Sequence, residues 1–332
     1  MANDFNILVV AQIEAGGLSD LSLEMLSHAR NVAEAKGGSV SAVLLGDDLS
    51  SLDGLGQALI AFGADKAYLV EGALLHPYQA DAWLPDLVKI ISDVPPALVL
   101  IGHTTIGGDL APRLAFRLNS AAATGCEEIT LDGDKILLTR ACYGGKARES
   151  VCFNTAPSIA TIKSKTRPPL PRDEARTGEI IAIAASVTAG DIRTTVTLEE
   201  RESADGPRLE SAKVIVAGGG GLGGPEGFVA AAELAQALGG AVGASRVACD
   251  MDWCPSHYQV GLSGKTVAPE LYIAIGISGA GQHMAGCANA HTIVAINNDP
   301  DAPIFRFSQF GVIGEYQELI PALREEILKL KA

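Results

Sequence analysis

The sequence predicts an α/β fold in two domains. The first is an N-terminal α/β domain with added antiparallel strands over residues 1–200, the second a C-terminal doubly wound parallel-sheet domain over residues 208–332. Three observations carry this. The chain has 332 residues, enough for two ordinary domains, and at 48% apolar and 19% charged it is too apolar for disorder. Short apolar runs alternate with segments of helical spacing in both halves. Clusters of glycine and polar residues follow directly on the strand candidates of the second half.

In the first half, residues 5–12 form a short β-branched run, 20–36 have helical spacing and stop at Gly37-Gly38, and 39–45 are again short and apolar. A strand–helix–strand unit is the simplest account. The alternation continues through 49–62, 66–70, 80–92 and 97–102, with strands short enough to be buried on both faces of a parallel sheet. From Glu127 the texture changes. Residues 127–131, a turn at Asp132-Gly133-Asp134, 136–143, Gly144-Gly145, 147–153 and 158–163 read as successive antiparallel hairpins. Residues 164–177, with Arg167-Pro-Pro-Leu-Pro-Arg172, form a Pro-rich connector, and 203–207 a polar break. Then come Lys213-Val-Ile-Val-Ala217 as a strand, the loop Gly218 to Gly224, and a helix over 225–239 with Pro225 in its first turn. Further strands are expected at 241–245, 271–275, 292–296 and 303–307, and an amphipathic helix near 315–330 closes the chain.

Composition removes several classes of function. A formal net charge of −14 excludes a nucleic-acid binder that relies on bulk electrostatics, and 5% aromatic residues leave few stacking platforms. The start has no basic stretch before its apolar run, and no run reaches the roughly 18–20 residues that span a bilayer. A cytoplasmic protein, not embedded in a membrane, is expected to begin at Met1. The six cysteines show no Cys-x-x-Cys pair and no zinc-finger spacing, so free structural thiols and no metal site are expected. Cys254, Trp253 and His257 read as a loop. His103, with Thr104, Thr105 and Asp109, is a polar cluster at a strand end of the first domain.

Position then points to a ligand. Gly218 to Gly221 follow one strand candidate, Ser245-Arg246 close the next, Gly276-Ile277-Ser278-Gly279 follow a third, and Asn297-Asn298-Asp299 a fourth. In a parallel sheet these strand ends share one edge, where ligands bind. Helices starting at Pro225 and near Gln282 would aim free N–H groups there, which suits the phosphates of a nucleotide. Gly218, Gly220 and Gly223 match Gly-x-Gly-x-x-Gly, but no acidic residue ends the following strand, which disfavours an ordinary NAD site. On chemistry alone, Arg246 equally fits a surface ion pair with Asp250 or Asp252, and His283 a packed or capping histidine. Ser263, Ser278, Gln282, Asn297 and Asp299 equally fit turns and caps.

The stretch Gln259-Val-Gly-Leu-Ser263-Gly-Lys265, continuing through Ile277-Ser278-Gly279-Ala-Gly-Gln282-His283 to Asn297-Asn-Asp299-Pro-Asp-Ala-Pro303-Ile-Phe305, closely resembles the C-terminal signature of the electron transfer flavoprotein α subunit. Asp109-Leu-Ala-Pro-Arg113 fits the same family. The resemblance implies that the second domain binds FAD and that a β subunit completes a heterodimeric carrier. It further implies a flavin-dependent acyl-CoA or amine dehydrogenase as donor and a membrane quinone oxidoreductase as acceptor. Such a chain is an electron carrier more than an enzyme, and no proton-abstracting residue is required of it. By the same resemblance, Gly220, Gly276, Ser278, Gly279 and Gln282 attend the pyrophosphate, and Asn297, Asp299 and Glu315 the adenosine. Ser245, Arg246, Ser263 and His283 lie by the flavin ring, and Gln259, Gly261 and Gly264 are further cofactor-binding residues. One-electron reduction puts negative charge on the pyrimidine end of a flavin, which Arg246 and a donating His283 would stabilise.

Three departures stand out. The family's Gly-Gly-Arg-Gly loop is all glycine here, its Gln-Thr pair is Leu262-Ser263, and its late Asp-Leu pair is Glu315-Tyr316. Two rival readings therefore remain compatible with the residues: a subunit of an NADH-oxidising, electron-bifurcating complex, or a nucleotide-binding subunit whose flavin site has decayed.

Overall fold

A computed structural model describes residues 5–52, 54–143, 147–198 and 208–331. The chain divides into two compact units, Met1–Cys142 with Arg148–Glu200, and Tyr143–Ala147 with Arg201–Ala332. In the first unit a nine-stranded sheet has the order Glu179–Ala184, Lys66–Glu71, Ser39–Gly46, Asn6–Ala11, Leu98–Gly102, Ser158–Ile162, Ala122–Asp132, Lys135–Cys142, Ala147–Val151. Every residue of Asn6–Ala11 and Leu98–Gly102 is buried, as the β-branched runs require of parallel strands covered on both faces. The helices Asp20–Lys36 and Leu55–Ala61 pack on one face, and Ala80–Asp93 and Thr105–Arg117 on the other. Ser19 opens the first helix by accepting a hydrogen bond from the Ser22 N–H, and Gly37 closes it at φ +62°.

One expectation changes in this unit. Ala122–Asp132 and Lys135–Cys142 do form an antiparallel hairpin, but Ser158–Ile162 is not the next hairpin strand. It runs parallel to both Leu98–Gly102 and Ala122–Asp132, between them. All five of its residues are buried, the signature of an interior parallel strand and not of a half-solvated hairpin. The Pro-rich residues 164–177 connect strands within this unit. Arg167 Nε donates to Ser27 Oγ (3.0 Å) and Arg176 pairs with Asp65 (2.8 Å), so the segment straps the helical layer before Glu179–Ala184 joins the sheet edge. The turn at Gly144-Gly145 and the polar break at 203–207 lie outside the described residues.

The second unit holds a five-stranded, fully parallel sheet in the order Ala241–Ala244, Val214–Gly218, Leu271–Ile275, Thr292–Asn297, Phe310–Ile313. The order reverses direction at Val214–Gly218, so a crevice opens between its carboxyl end and that of Leu271–Ile275. Pro225–Leu238 and Tyr316–Lys331 cover one face through Phe228, Leu234 and Ile320; Gly281–Cys287 covers the other through Met284 and Cys287. The strand expected at 303–307 is a 3₁₀ turn, Pro303–Arg306, and the edge strand is Phe310–Ile313. Pro303 has no N–H for a ladder, and the Ile304 N–H is already given to the Ser278 carbonyl (3.0 Å).

Candidate functional site

The crevice is built from backbone before any side chain enters it. The Gly219 N–H donates to the Ile275 carbonyl (2.8 Å) and the Gly221 N–H to the Gly276 carbonyl (2.9 Å), locking the glycine loop to the turn after the neighbouring strand. Gly276 sits at φ +61°, and a Cβ there would fall 2.8 Å from Gly221 Cα, so this approach requires glycine. Ser245 occupies the N-cap position of the short helix Arg246–Asp250 without a side-chain cap bond, and its N–H donates to the Gly218 carbonyl (2.9 Å). On the far side the Val260 N–H reaches the Ala244 carbonyl (2.9 Å) and the Leu262 N–H the Gln282 carbonyl (2.7 Å).

These segments enclose a cavity of about 510 Å³, within the range that takes cofactors. Of the residues singled out from sequence, Gly220, Ser245, Arg246, Gln259, Gly261, Ser263, Ser278, Gln282 and His283 line it. Asn297 and Glu315 line a small depression that shares Gly221 and Gly276 with the cavity wall. The Asn297 amide donates to the Ile277 carbonyl (3.0 Å) and its oxygen accepts from the Asp299 N–H (3.0 Å). Gly264, Gly279 and Asp299 line neither space. Gly264 donates its N–H to the Gly261 carbonyl in a tight turn, Gly279 lies against Ile304 at φ +84°, and Asp299 accepts from the Asp301 N–H (2.9 Å). The first turn of the helix at Pro225 is not part of the cavity wall, whereas Ala280 and Gln282 at the start of Gly281–Cys287 are. Sequence reasoning missed the apolar wall, Val247, Val260, Ile277 and Ala280, because nothing in an apolar side chain's type distinguishes a wall from a core.

Both units match known families. Residues 7–188 match the electron transfer flavoprotein domain, and 208–288 match the electron transfer flavoprotein FAD-binding domain. The chain is 42% identical to an electron transfer flavoprotein subunit alpha of Thermoanaerobacterium thermosaccharolyticum, across 99% of this chain and 100% of that one. It is 40% identical to the subunit alpha of Bacillus subtilis, across 98% of each. A protein named FixB from Clostridium saccharobutylicum is 35% identical, across 96% of this chain and 94% of that one. The chain belongs to the electron transfer flavoprotein α-subunit family. It is therefore a flavin-binding electron carrier, and its being an α subunit implies a β-subunit partner. Among the described residues no helix is long and apolar enough to cross a membrane, and no cluster of side chains is arranged to hold a metal. The cysteines are free thiols.

The polar groups of this family member's cavity fit a flavin. His283 is buried; its Nε2 lies 2.9 Å from the Tyr272 hydroxyl. Its Nδ1 feels the Val260 carbonyl dipole but makes no hydrogen bond among the described residues. Burial lowers its pKa to about 4, against a smaller upward pull from Val260, so near neutral pH the ring is an uncharged donor and not a cation. The Tyr272 hydroxyl stays protonated, since burial raises its pKa well above the usual value. Ser245 Oγ is also buried without a partner. Two orphaned polar atoms in one cavity wall leave hydrogen-bonding capacity for a ligand. Arg246 is exposed at the rim and pairs with Asp250 (3.2 Å), and Gln259 Nε2 donates to Ser263 Oγ (2.9 Å).

Proposed function

We propose that the cavity holds FAD, completed by a β subunit, and that the assembly passes electrons from a flavin-dependent acyl-CoA or amine dehydrogenase to a membrane quinone oxidoreductase. The observation that carries this reading is the convergence of the glycine loop, the orphaned Ser245 and His283 atoms and Arg246 on one cavity of the flavin-binding unit. FAD supplies one-electron transfer when bound, and the protein has no proton to abstract. Gly220, Gly276 and Ser278 offer close backbone approach for a pyrophosphate, helped by the free N–H groups at the start of Gly281–Cys287. Asn297 and Glu315, in the adjoining depression, are assigned to the adenosine, with Asp299 and Gly279 holding their turns. Ser245, Arg246, Ser263 and His283 attend the ring: His283 as a neutral donor, Arg246 as the positive charge, and Gln259 holding the Ser263 hydroxyl. Co-expression with the β subunit and an absorption spectrum of the purified complex test this. A yellow complex releasing one FAD per α chain is expected; a colourless, flavin-free complex overturns the reading.

A further inference from the structure

Two of the exposed large apolar side chains of the second unit stand in the same cavity wall. Val247 is 56% exposed and Leu262 54% exposed, and neither belongs to the apolar clusters that pack the two faces of the sheet. Both are held in place. Val247 follows Arg246 on its helix, and a Cβ built on Gly220 would lie 3.6 Å from Val247 Cγ1, which sets the valine over the glycine loop. Leu262 is fixed by its N–H on the Gln282 carbonyl and by the turn at Gly261, whose φ of +145° and 2.9 Å approach to that same carbonyl admit only glycine. Exposed apolar atoms on a concave, well-braced wall gain most when flat apolar surface covers them, and they gain nothing from a phosphate.

We propose that Val247 and Leu262 are the apolar contacts for the isoalloxazine ring, and that they set the preference of the site for FAD over the adenine nucleotide half of the same molecule. The inference rests on the flavin reading above and adds the residues that discriminate. The neighbouring Ser245 and His283 fix the ring's polar edge, whereas these two side chains shield the ring from water along the wall they share, a role the polar residues cannot fill.

The test uses the full chain in complex with its β subunit, titrated separately with FAD and with ADP. Leu262→Ala removes three carbons and should weaken FAD binding about tenfold, and Val247→Ala, which removes two, about fivefold. ADP affinity should stay within about twofold, because ADP has no ring to cover. The bound flavin should also lose the fine structure of its visible band as water reaches it. Leu262→Met, similar in volume, should restore both readouts, and Val229→Ala, exposed but outside the cavity, should leave them unchanged. Unchanged FAD affinity in the alanine variants, or an equal loss for FAD and ADP, overturns the assignment. A wild-type complex that binds neither nucleotide overturns the flavin reading itself, a result distinct from either.

Discussion

Gly276→Ala and Gly223→Ala separate the cost of an unusual backbone from the cost of a lost close approach. Both glycines have positive φ, +61° and +73°, so alanine at either position carries the left-handed penalty of about 1 kcal/mol. At Gly223 nothing lies within 4 Å of the added Cβ, and the penalty ends there. At Gly276 the Cβ would meet Gly221 Cα and C at 2.8 Å and Leu222 N at 3.1 Å. Backbone cannot swing aside as a side chain can, so the overlap adds about 1–3 kcal/mol, for a total of about 2–4 kcal/mol. Urea unfolding followed by Trp253 fluorescence in a Trp83→Phe background reads the second unit alone, since the chain has only these two tryptophans. FAD affinity should fall in the same order, because relieving the overlap pushes the glycine loop off the cavity wall. Equal losses for the two variants, in stability and in flavin binding, would refute the argument that the loop is locked by close approach.

Three further predictions follow from the site and its surroundings. His28 and His283 are both buried with pKa lowered to about 4, so the folded chain holds them neutral while the unfolded chain protonates them below its ordinary value of 6.5. Their stability contribution is complete above pH 6.5 and is lost as pH falls toward 4, by about 2 kcal/mol for each at pH 5. Unfolding curves at pH 7.5 and pH 5 check this, and His283→Gln should flatten the loss in the second unit only. Gly220 has ordinary φ, and its Cβ would make only van der Waals contact with Val247. Gly220→Arg should therefore fold normally and tighten FAD binding about tenfold or more by a charge-assisted phosphate contact; unchanged affinity in a titration would remove the pyrophosphate from that loop. Asp250→Asn frees Arg246 from an exposed pair and should raise the potential of the bound flavin by about 20 mV; potentiometry showing no rise would place Arg246 away from the ring.

The sequence was most legible where one local property decides the outcome. In Asn6–Ala11 every residue after Asn6 is apolar, as is every residue of Leu98–Gly102, and only a parallel sheet covered on both faces uses such strands. The helix Asp20–Lys36 announces both its ends, in Ser19 and Gly37. What escaped was non-local. Ser158–Ile162 reads alone like any short strand, and its place between Leu98–Gly102 and Ala122–Asp132 depends on pairings across the chain. Phe310–Ile313 is an edge strand without alternation, its four residues all exposed, so no periodicity marks it. At the site, strand-end clustering found the crevice, yet Gly220 and Gly264 look alike in sequence. One lines the cavity and the other only turns the chain. The orphaned hydroxyl of Ser245 was equally invisible, because an unmet hydrogen bond is a fact about neighbours.

Charge gives the site its remaining constraint. The chain carries −14, and one-electron reduction of a flavin adds negative charge to a protein already short of positive groups. His283 cannot supply a full charge, since its burial holds the ring neutral near neutral pH. Among the described residues that line the cavity, Arg246 is the only one with a formal positive charge, and its Nε is paired with Asp250. What remains is dipolar: the His283 N–H, the free amides at the start of Gly281–Cys287, and the backbone of the glycine loop. Dipoles fixed by packing need no reorganisation when charge arrives and leave the net charge untouched. Each must point the right way before the electron does, which accounts for the backbone-to-backbone locking at Gly276 and Gly261 better than any demand of stability.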